Sequence, residues 1–401
     1  MNNAFKVAIV GGGASGLLCA IELLSGDNAL SGKDVVVLER NDRVGKKLIA
    51  TGNGQGNLTN VNHALDYYHG DKGFVRAFFS VLKNSDLIKY LQNLGIYLIE
   101  GDDGKMYPTS FQATSVLDIL RSYLEYKKCN IITNFYVDDI KNLEQKFVIC
   151  SKTDKVFAQN VVCAFGGSAG KQYGTDGTSY KLVEKYGHKC TKLYPSLVQL
   201  KANLMEFKGL KGIKEKVKIK AQSQDDILKE TEGDLLFTDY GISGSAVFNI
   251  SGYLQGVKNP KVSVEFLPNL KKEALIDILN EKQKLPHINK EDLLLGLLNK
   301  QIGRIITKKC TSIHEIVNLV KDFKIEITGN LGFNYAQVTK GGIDTNSVNP
   351  FTMQSKLVKN LYLIGELLDV DGDCGGYNLT FSFLCGIVSA KNIKNSYLVE
   401  K

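Results

Sequence analysis

The chain has 401 residues, 43% of them hydrophobic, and a formal net charge of +8, a length that predicts two or three domains with ample core. No apolar run is long and unbroken enough to span a bilayer, and an apolar strand begins almost at once in place of a basic-then-apolar leader, which predicts a cytoplasmic protein. Cys19, Cys129, Cys150, Cys163, Cys190, Cys310, Cys374 and Cys385 lack both C-x-x-C and metal-ligand spacing, so they read as core fillers in a reducing compartment and predict no metal site.

The first element is KVAIVGGGASGLLCAIELL, from Lys6 to Leu24. Val7 to Val10 form an apolar β-branched run, as a parallel strand covered on both faces requires. Gly11, Gly13 and Gly16 follow in G-x-G-x-x-G spacing, with Ala14 and Ser15 opening a helix. Gly11 permits the tight turn, Gly13 lets the backbone approach a pyrophosphate, and Gly16 lets helix and strand pack closely. A second strand, Asp34 to Leu38, ends at Glu39, where an acid accepts hydrogen bonds from a ribose diol. Glu39 favours a 2′-hydroxyl over a 2′-phosphate, and the adjacent Arg40 pulls the other way.

Asn41 to Asn60 is a polar, glycine-rich connection of a length usually kept for function. Gly45, Gly52, Gly54 and Gly56 allow close backbone approach there. Lys46 and Lys47 can neutralise phosphate charge, and Asn53, Asn57, Thr59 and Asn60 can hydrogen-bond a polar ring edge. Leu48, Ile49 and Leu58 give the loop apolar anchors. Residues 72–94 carry helical periodicity and stop at Gly95, a helix-ending glycine. A short strand at Ile96 to Ile99 precedes a helix over Thr114 to Lys127, with Val116, Leu117, Leu120 and Leu124 inward. Strands are predicted at Asn130 to Thr133, Phe135 to Ile140, Phe147 to Cys150 and Val156 to Phe157. Asn160 to Gly170 is another buried strand ending in a glycine turn that contains Ala164, Gly166 and Gly167, and a further helix opens after it.

From about Leu193 to residue 265 short alternating strands predict a β-rich, barrel-like insert. Residues 270–322 turn helical, with Asn289 and Asp292 resembling an N-cap and Ser312 with Glu315 forming a capping box. Strands return at Lys324 to Thr328 and Asn334 to Thr339. NLYLIGELLDVDGDCGGYNLTFSFLCGIV (Asn360 to Val388) then repeats the opening plan: a strand delivering Gly365 and Glu366, a glycine turn, and a helix over about Leu379 to Ile393. A carboxylate at Glu366 suits a hydroxyl of a flavin ribityl chain. A helix N-terminus there suits the negative charge of a reduced flavin ring.

The motifs GGGASGL, GKKLIATGNGQGNLTN, AFGGSAGKQYGTDGTSYKLVEKYGH, AQVTKGGI and LIGELLDVDGDCGGYNL are similar, in that order, to the BaiN-like family of predicted NAD(P)/FAD-dependent oxidoreductases, also described as aminoacetone oxidase-like flavoproteins. The resemblance covers nearly the whole chain. It implies an α/β fold: a discontinuous Rossmann-like FAD-binding domain (1–192 and 332–401) with a β-barrel-like insert (193–268 plus about 323–331) and a helical insert (269–322). By motif it implies FAD contacts at Gly11, Gly13, Gly16, Glu39, Asn53, Asn57, Gly166, Gly365, Glu366, Asn378 and Leu379, with the backbone of Val137 at adenine. Ala14, Ser15, Arg40, Lys46, Lys47, Gly54, Leu58, Ala164, Gly167, Asp369, Gly376 and Tyr377 complete the expected cofactor set. Two departures stand out. The family's G-R-C-N is Gly54–Gln55–Gly56–Asn57 here, and Phe381 and Phe383 follow the Y-N-L motif where the family often has tryptophan. They bear on the substrate rather than on FAD.

The expected activity is hydride transfer at flavin N5 to or from a small organic substrate, with NAD(P)H as a possible transient reductant. No acid or base stands out. Tyr173, Asp176, Lys340 and Tyr377 border flavin-facing turns, whereas His63, His69, His188, His287 and His314 fall outside the glycine motifs and read as surface or packing residues. Two other classes stay open: a flavin-dependent RNA-modifying enzyme, suggested by the basic charge, and a non-catalytic flavin-binding sensor. The Lys208, Lys211, Lys214, Lys216, Lys218, Lys220 cluster alternates with apolar residues and has no aromatic interleaving, which reads as a solvated strand face and disfavours a nucleic-acid partner. Nothing in the pattern sets an oligomeric state.

Overall fold

The computed structural model describes residues 4–144, 146–203, 209–224 and 226–399. The chain forms two compact units, Met1–Tyr194 with Val338–Lys401, and Pro195–Gln337.

The first unit is built on a seven-stranded sheet. Ala4–Val10 lies inside it, parallel to Val35–Leu38 on one side and to Lys155–Cys163 on the other. Asn130–Ile132 extends the parallel run beyond Val35–Leu38. The long strand Lys155–Cys163 changes partner along its length. Its first half is antiparallel to Lys146–Cys150, and its carboxyl half is parallel to Leu361–Leu363. Val7–Val10 and Val35–Leu38 are buried throughout, so both strands read as unbroken apolar runs. Against this sheet the helices Ala14–Leu23 and Tyr377–Val399 pack on each other so closely that a Cβ on Gly386 would meet the Ser15 carbonyl oxygen.

Local expectations shift at the following elements. The single helix expected over residues 72–94 is two, Lys72–Phe79 and Asn84–Asn93, because Asp71 caps the first at Phe74 N (2.7 Å) and the Asp86 carboxylate holds Lys83 N (2.8 Å) to start a second. Gly95, at φ +86°, ends the second helix as expected. Phe135–Asp138 is not strand: Phe135 N and Asn134 N donate to Glu39 O and Asn41 O, and strand structure begins only at Asp139–Leu143. The final helix begins earlier and runs later than its glycine turn suggested, covering Tyr377–Val399.

In the second unit, Leu200–Ala202, Gly241–Ser243, Asp226–Phe237, Lys214–Ser223, Pro260–Glu265 and Phe323–Asn330 close into a barrel in that order. The helices Lys272–Gln283, Lys300–Lys309 and Ile313–Lys321 share one apolar core with it, through Leu275, Leu279, Ile302, Ile306, Ile316 and Val320. Ser312 Oγ caps Glu315 N at 3.2 Å as expected, whereas Asn289 forms no side-chain cap.

Val217, Ile219 and Ala221 point into the barrel, and the alternating lysines meet carboxylates of the neighbouring strand. Lys214 lies 2.7 Å from Asp234, Lys218 and Lys220 lie 2.5 and 3.1 Å from Glu230, and Lys211 lies 3.0 Å from Asp239. Four of the cluster's lysines are therefore offset by three carboxylates. Lys208 lies outside the described residues.

Candidate functional site

The first glycine turn is set by backbone crowding. Gly11 adopts φ +112° against the Ala164 carbonyl, and a Cβ on Gly16 would run into the Gly11 carbonyl oxygen. Gly13 differs from both: open space faces its missing Cβ, and as N-cap of Ala14–Leu23 it supplies no side-chain hydrogen bond. The first N–H groups of that helix thus remain available to an anion. Ala14 and the buried Ser15 begin the helix, and the Ser15 hydroxyl crowds Gly365 from the far end of the chain.

At the end of Val35–Leu38, the buried Glu39 carboxylate accepts from Gly12 N, Asn41 N and Asn41 Nδ2, each at 2.8 Å. A carboxylate offers about four acceptor positions, so one remains. Next to it Arg40 forms a two-pronged pair with Asp176, at 2.9 and 3.0 Å, and its guanidinium stacks over the Tyr136 ring. Although burial works to raise it, the Asp176 carboxyl sits well below the usual range because Arg40 and Thr178 hydrogen-bond it. A carboxylate so held stays ionised, which argues against Asp176 as a proton donor and leaves it as a group that positions Arg40. Tyr173 contributes its backbone carbonyl, which accepts from Asn41 Nδ2 at 3.0 Å, and Val137 packs its side chain against the core beside this turn.

In the Asn41–Asn60 connection, Lys46 pairs with the exposed Asp42 at 2.6 Å. Lys47 reaches across the fold to Glu366 Oε2 at 2.5 Å and to Ala169 O at 3.0 Å. Glu366 Oε1 also accepts from Thr339 N at 3.0 Å, and the Thr339 hydroxyl accepts from Ser168 N and Ala169 N. The Ala164–Gly167 turn, Glu366 and Lys47 are thereby held together, with Gly166 at φ +75°. Asn53 and Gly54 are exposed and left-handed. With its amide oriented so that both neighbours are satisfied, Asn57 joins the two chain ends: its Oδ1 then accepts from Gly376 N (3.2 Å) and its Nδ2 donates to Thr59 O (3.0 Å). The Leu58 side chain is fully buried core.

The second glycine turn closes on Asn378, whose side chain accepts from Gly372 N and donates to Gly372 O, both at 2.8 Å. A Cβ on Gly376 would meet the Thr59 backbone. Tyr377 is buried, stacks on Tyr67 at 4.5 Å and donates to Asn62 O at 3.2 Å. Burial pushes its hydroxyl up and keeps it neutral. Leu379 is half-buried in the first turn of the helix, and Lys340 ends the Val338–Lys340 strand. Burial also raises Cys374, as a structural thiol requires, and raises Asp369.

His69, read from sequence as a surface or packing residue, meets this turn: its Nε2 lies 2.8 Å from Asp373 Oδ1. No local motif marks it, because its partner is 304 positions away.

Asp371 is 4% exposed, and burial pushes its carboxyl up to about 6, with His69 and Lys340 opposing the rise and Asp369 and Asp373 adding to it. A folded value above the unfolded one, about 3.9, stabilises below pH 4, and that contribution is lost as pH rises through 6. Asp371→Asn should therefore stabilise the flavin-free protein by about 3 kcal/mol at pH 8 and by less than about 1 kcal/mol at pH 4, read from urea unfolding at both.

Among the described residues, no helix is long and apolar enough to cross a membrane, and no group of three or more His, Cys, Asp or Glu side chains is arranged to hold a metal. The family described as HI0933-like protein Rossmann domain matches residues 5–392. A 3-dehydro-bile acid delta(4,6)-reductase of Clostridium scindens is 34% identical over 96% of this chain and 98% of its own. A ribosomal RNA dihydrouridine synthase of Haemophilus influenzae is 28% identical over 96% of this chain and 97% of its own. In fold, the chain is similar to a 3-ketosteroid-delta4-(5alpha)-dehydrogenase of Rhodococcus jostii, with a TM-score of 0.52 at 12% identity, over 97% of this chain and 96% of that one. The family match thus spans both glycine turns, and the chain belongs to the HI0933-like Rossmann family of FAD-binding oxidoreductases.

Proposed function

We propose that this protein reduces a carbon–carbon double bond conjugated to a carbonyl, on a small organic substrate, with FAD as its hydride carrier and NAD(P)H as reductant. The observation that carries the flavin assignment is that glycine turns from opposite ends of the chain are built into one unit: Gly13 leaves open space at the first, Ser15 beside it crowds Gly365, and the second is tied to the Asn41–Asn60 connection where Gly376 lies against the Thr59 backbone. These residues fit FAD. Gly11, Gly13, Ala14, Ser15 and Gly16 take the pyrophosphate, Glu39 the adenosine ribose, and the Val137 backbone the adenine. Glu366, oriented by Lys47 and Thr339, takes a ribityl hydroxyl, and the start of Tyr377–Val399 offsets negative charge at the ring's pyrimidine edge. When bound, the flavin supplies a hydride from N5.

The bond type comes from the relatives. The delta(4,6) double bonds of a 3-dehydro acid and the 5,6 double bond of uridine are each conjugated to a carbonyl, so the two names share one bond change. A second reading keeps that chemistry and places the double bond in RNA. The lysine face, partly offset by Asp234 and Glu230, favours the small molecule.

The test is anaerobic. FAD-loaded protein is bleached with NADPH or NADH, or by light if neither works, then mixed with a 4,6-dien-3-one bile acid, with 4-androstene-3,17-dione, or with an unmodified ribosomal RNA transcript. Return of the flavin absorbance with a ketone supports the proposal, and return with RNA alone supports the second reading. No return with any of them leaves a non-catalytic flavin sensor and sinks both.

A further inference from the structure

A conjugated double bond takes up a hydride at one carbon and a proton at the next, so this reaction needs a proton donor. The turn before Tyr377–Val399 carries a histidine–carboxylate pair, His69 and Asp373, 2.8 Å apart. It is laced on both sides. His69 N donates to Asp371 O at 2.7 Å, Asp373 N donates to Tyr67 O at 2.9 Å, and Tyr68 bridges Gly372. Tyr67, two residues before His69, lies flat on Tyr377, the first residue of the helix. Asn378 holds the same turn through Gly372. The carboxylate is the more enclosed partner, at 9% exposure against 18% for the imidazole, as expected if it orients and the ring exchanges protons.

We propose that His69, oriented by Asp373, is the proton donor of this site. This rests on the double-bond reading above. The imidazolium keeps one N–H on Asp373 and gives up the proton of its other nitrogen, leaving that bond's electron pair on the ring. Hydride from the reduced flavin adds to the carbon far from the carbonyl. The displaced electron pair forms the new C–H bond at the carbon beside the carbonyl, with the proton from His69. Substrate is reduced, flavin is oxidised, and the neutral imidazole recovers its proton from water. Charged and titratable groups around the pair are Asp369 and Asp371 on the turn, Lys340 from Val338–Lys340, and Tyr377 and Cys374.

The experiment uses FAD-loaded wild type, His69→Gln, His69→Asn and Asp371→Asn, with flavin absorbance and unfolding midpoint as fold controls. Flavin midpoint potential is measured against pH. In wild type, a residue that takes up a proton on reduction doubles the slope over part of the range, and that break should vanish in both His69 variants yet persist in Asp371→Asn. Reoxidation of reduced flavin by the responsive substrate should slow about 100-fold or more in the His69 variants, with reduction by NAD(P)H unchanged. Wild-type reoxidation rates together with a retained break in His69→Gln overturn the proposal. A break that depends on His69 in a protein that no ketone or RNA reoxidises instead overturns the double-bond reading and leaves His69 as a protonic partner of the flavin.

Discussion

Gly16→Val should cost about 4 kcal/mol or more of stability and abolish retention of FAD. The helix Ala14–Leu23 starts hard against the strand that precedes it, and any Cβ at Gly16 meets the Gly11 carbonyl oxygen and the Ile9 side chain. The obstacle is backbone, so no rotamer relieves it. Relief requires the helix to move away from the strand, which also moves its N–H groups away from a bound phosphate. Guanidinium unfolding and the ratio of flavin to protein absorbance after purification read the two effects. Wild-type values in both would refute the close-packing account. Gly13→Ala gives the contrast: open space faces that position, so its fold should survive while its FAD affinity drops.

Lys394→Met should destabilise by about 3–5 kcal/mol. Lys394 Nζ lies 2.7 Å from Glu22 Oε1 and donates to Ser25 O at 3.0 Å, and the two side chains are only 9% and 7% exposed. This pair bonds the first long helix to the last. Removing the ammonium leaves a buried carboxylate without its partner. The double change Glu22→Leu with Lys394→Met removes both charges, and its stability should return to within about 1–2 kcal/mol of wild type. A double variant as unstable as the single one would mean that the cost is lost packing rather than an uncompensated charge.

Much of the fold was legible because its constraints are local. An unbroken β-branched run marks a strand covered on both faces, and Val7–Val10 and Val35–Leu38 are that. The spacing of Gly11 and Gly16 follows from two carbonyl oxygens, so a short stretch of sequence carries the whole argument. What stayed hidden depends on distant partners. Lys47 and Glu366 are 319 positions apart and Arg40 and Asp176 are 136 apart, and no period or spacing announces either pair. From sequence Asp176 is a group that could donate or position protons and His69 a surface or packing residue, and neither reading foresees the Arg40 or Asp373 partner. Phe135–Asp138 has strand-like composition, yet the backbone of the Phe135 segment was captured by the turn after Glu39. The break within residues 72–94 came from two acidic caps competing with an otherwise continuous apolar stripe.

The strand Leu361–Leu363 and the helix Tyr377–Val399 complete a sheet and a helix pair whose other members lie in the first 163 residues. On the ribosome, the opening half of the Rossmann domain must therefore wait, with one flank of Lys155–Cys163 and one face of Ala14–Leu23 uncovered, until nearly the whole chain has been made. Pro195–Gln337 is contiguous and has its own apolar core, so it can condense during that interval. The junction of the two glycine turns is then the last part of this unit to form during synthesis, and the half-built domain is the stretch most in need of protection from aggregation.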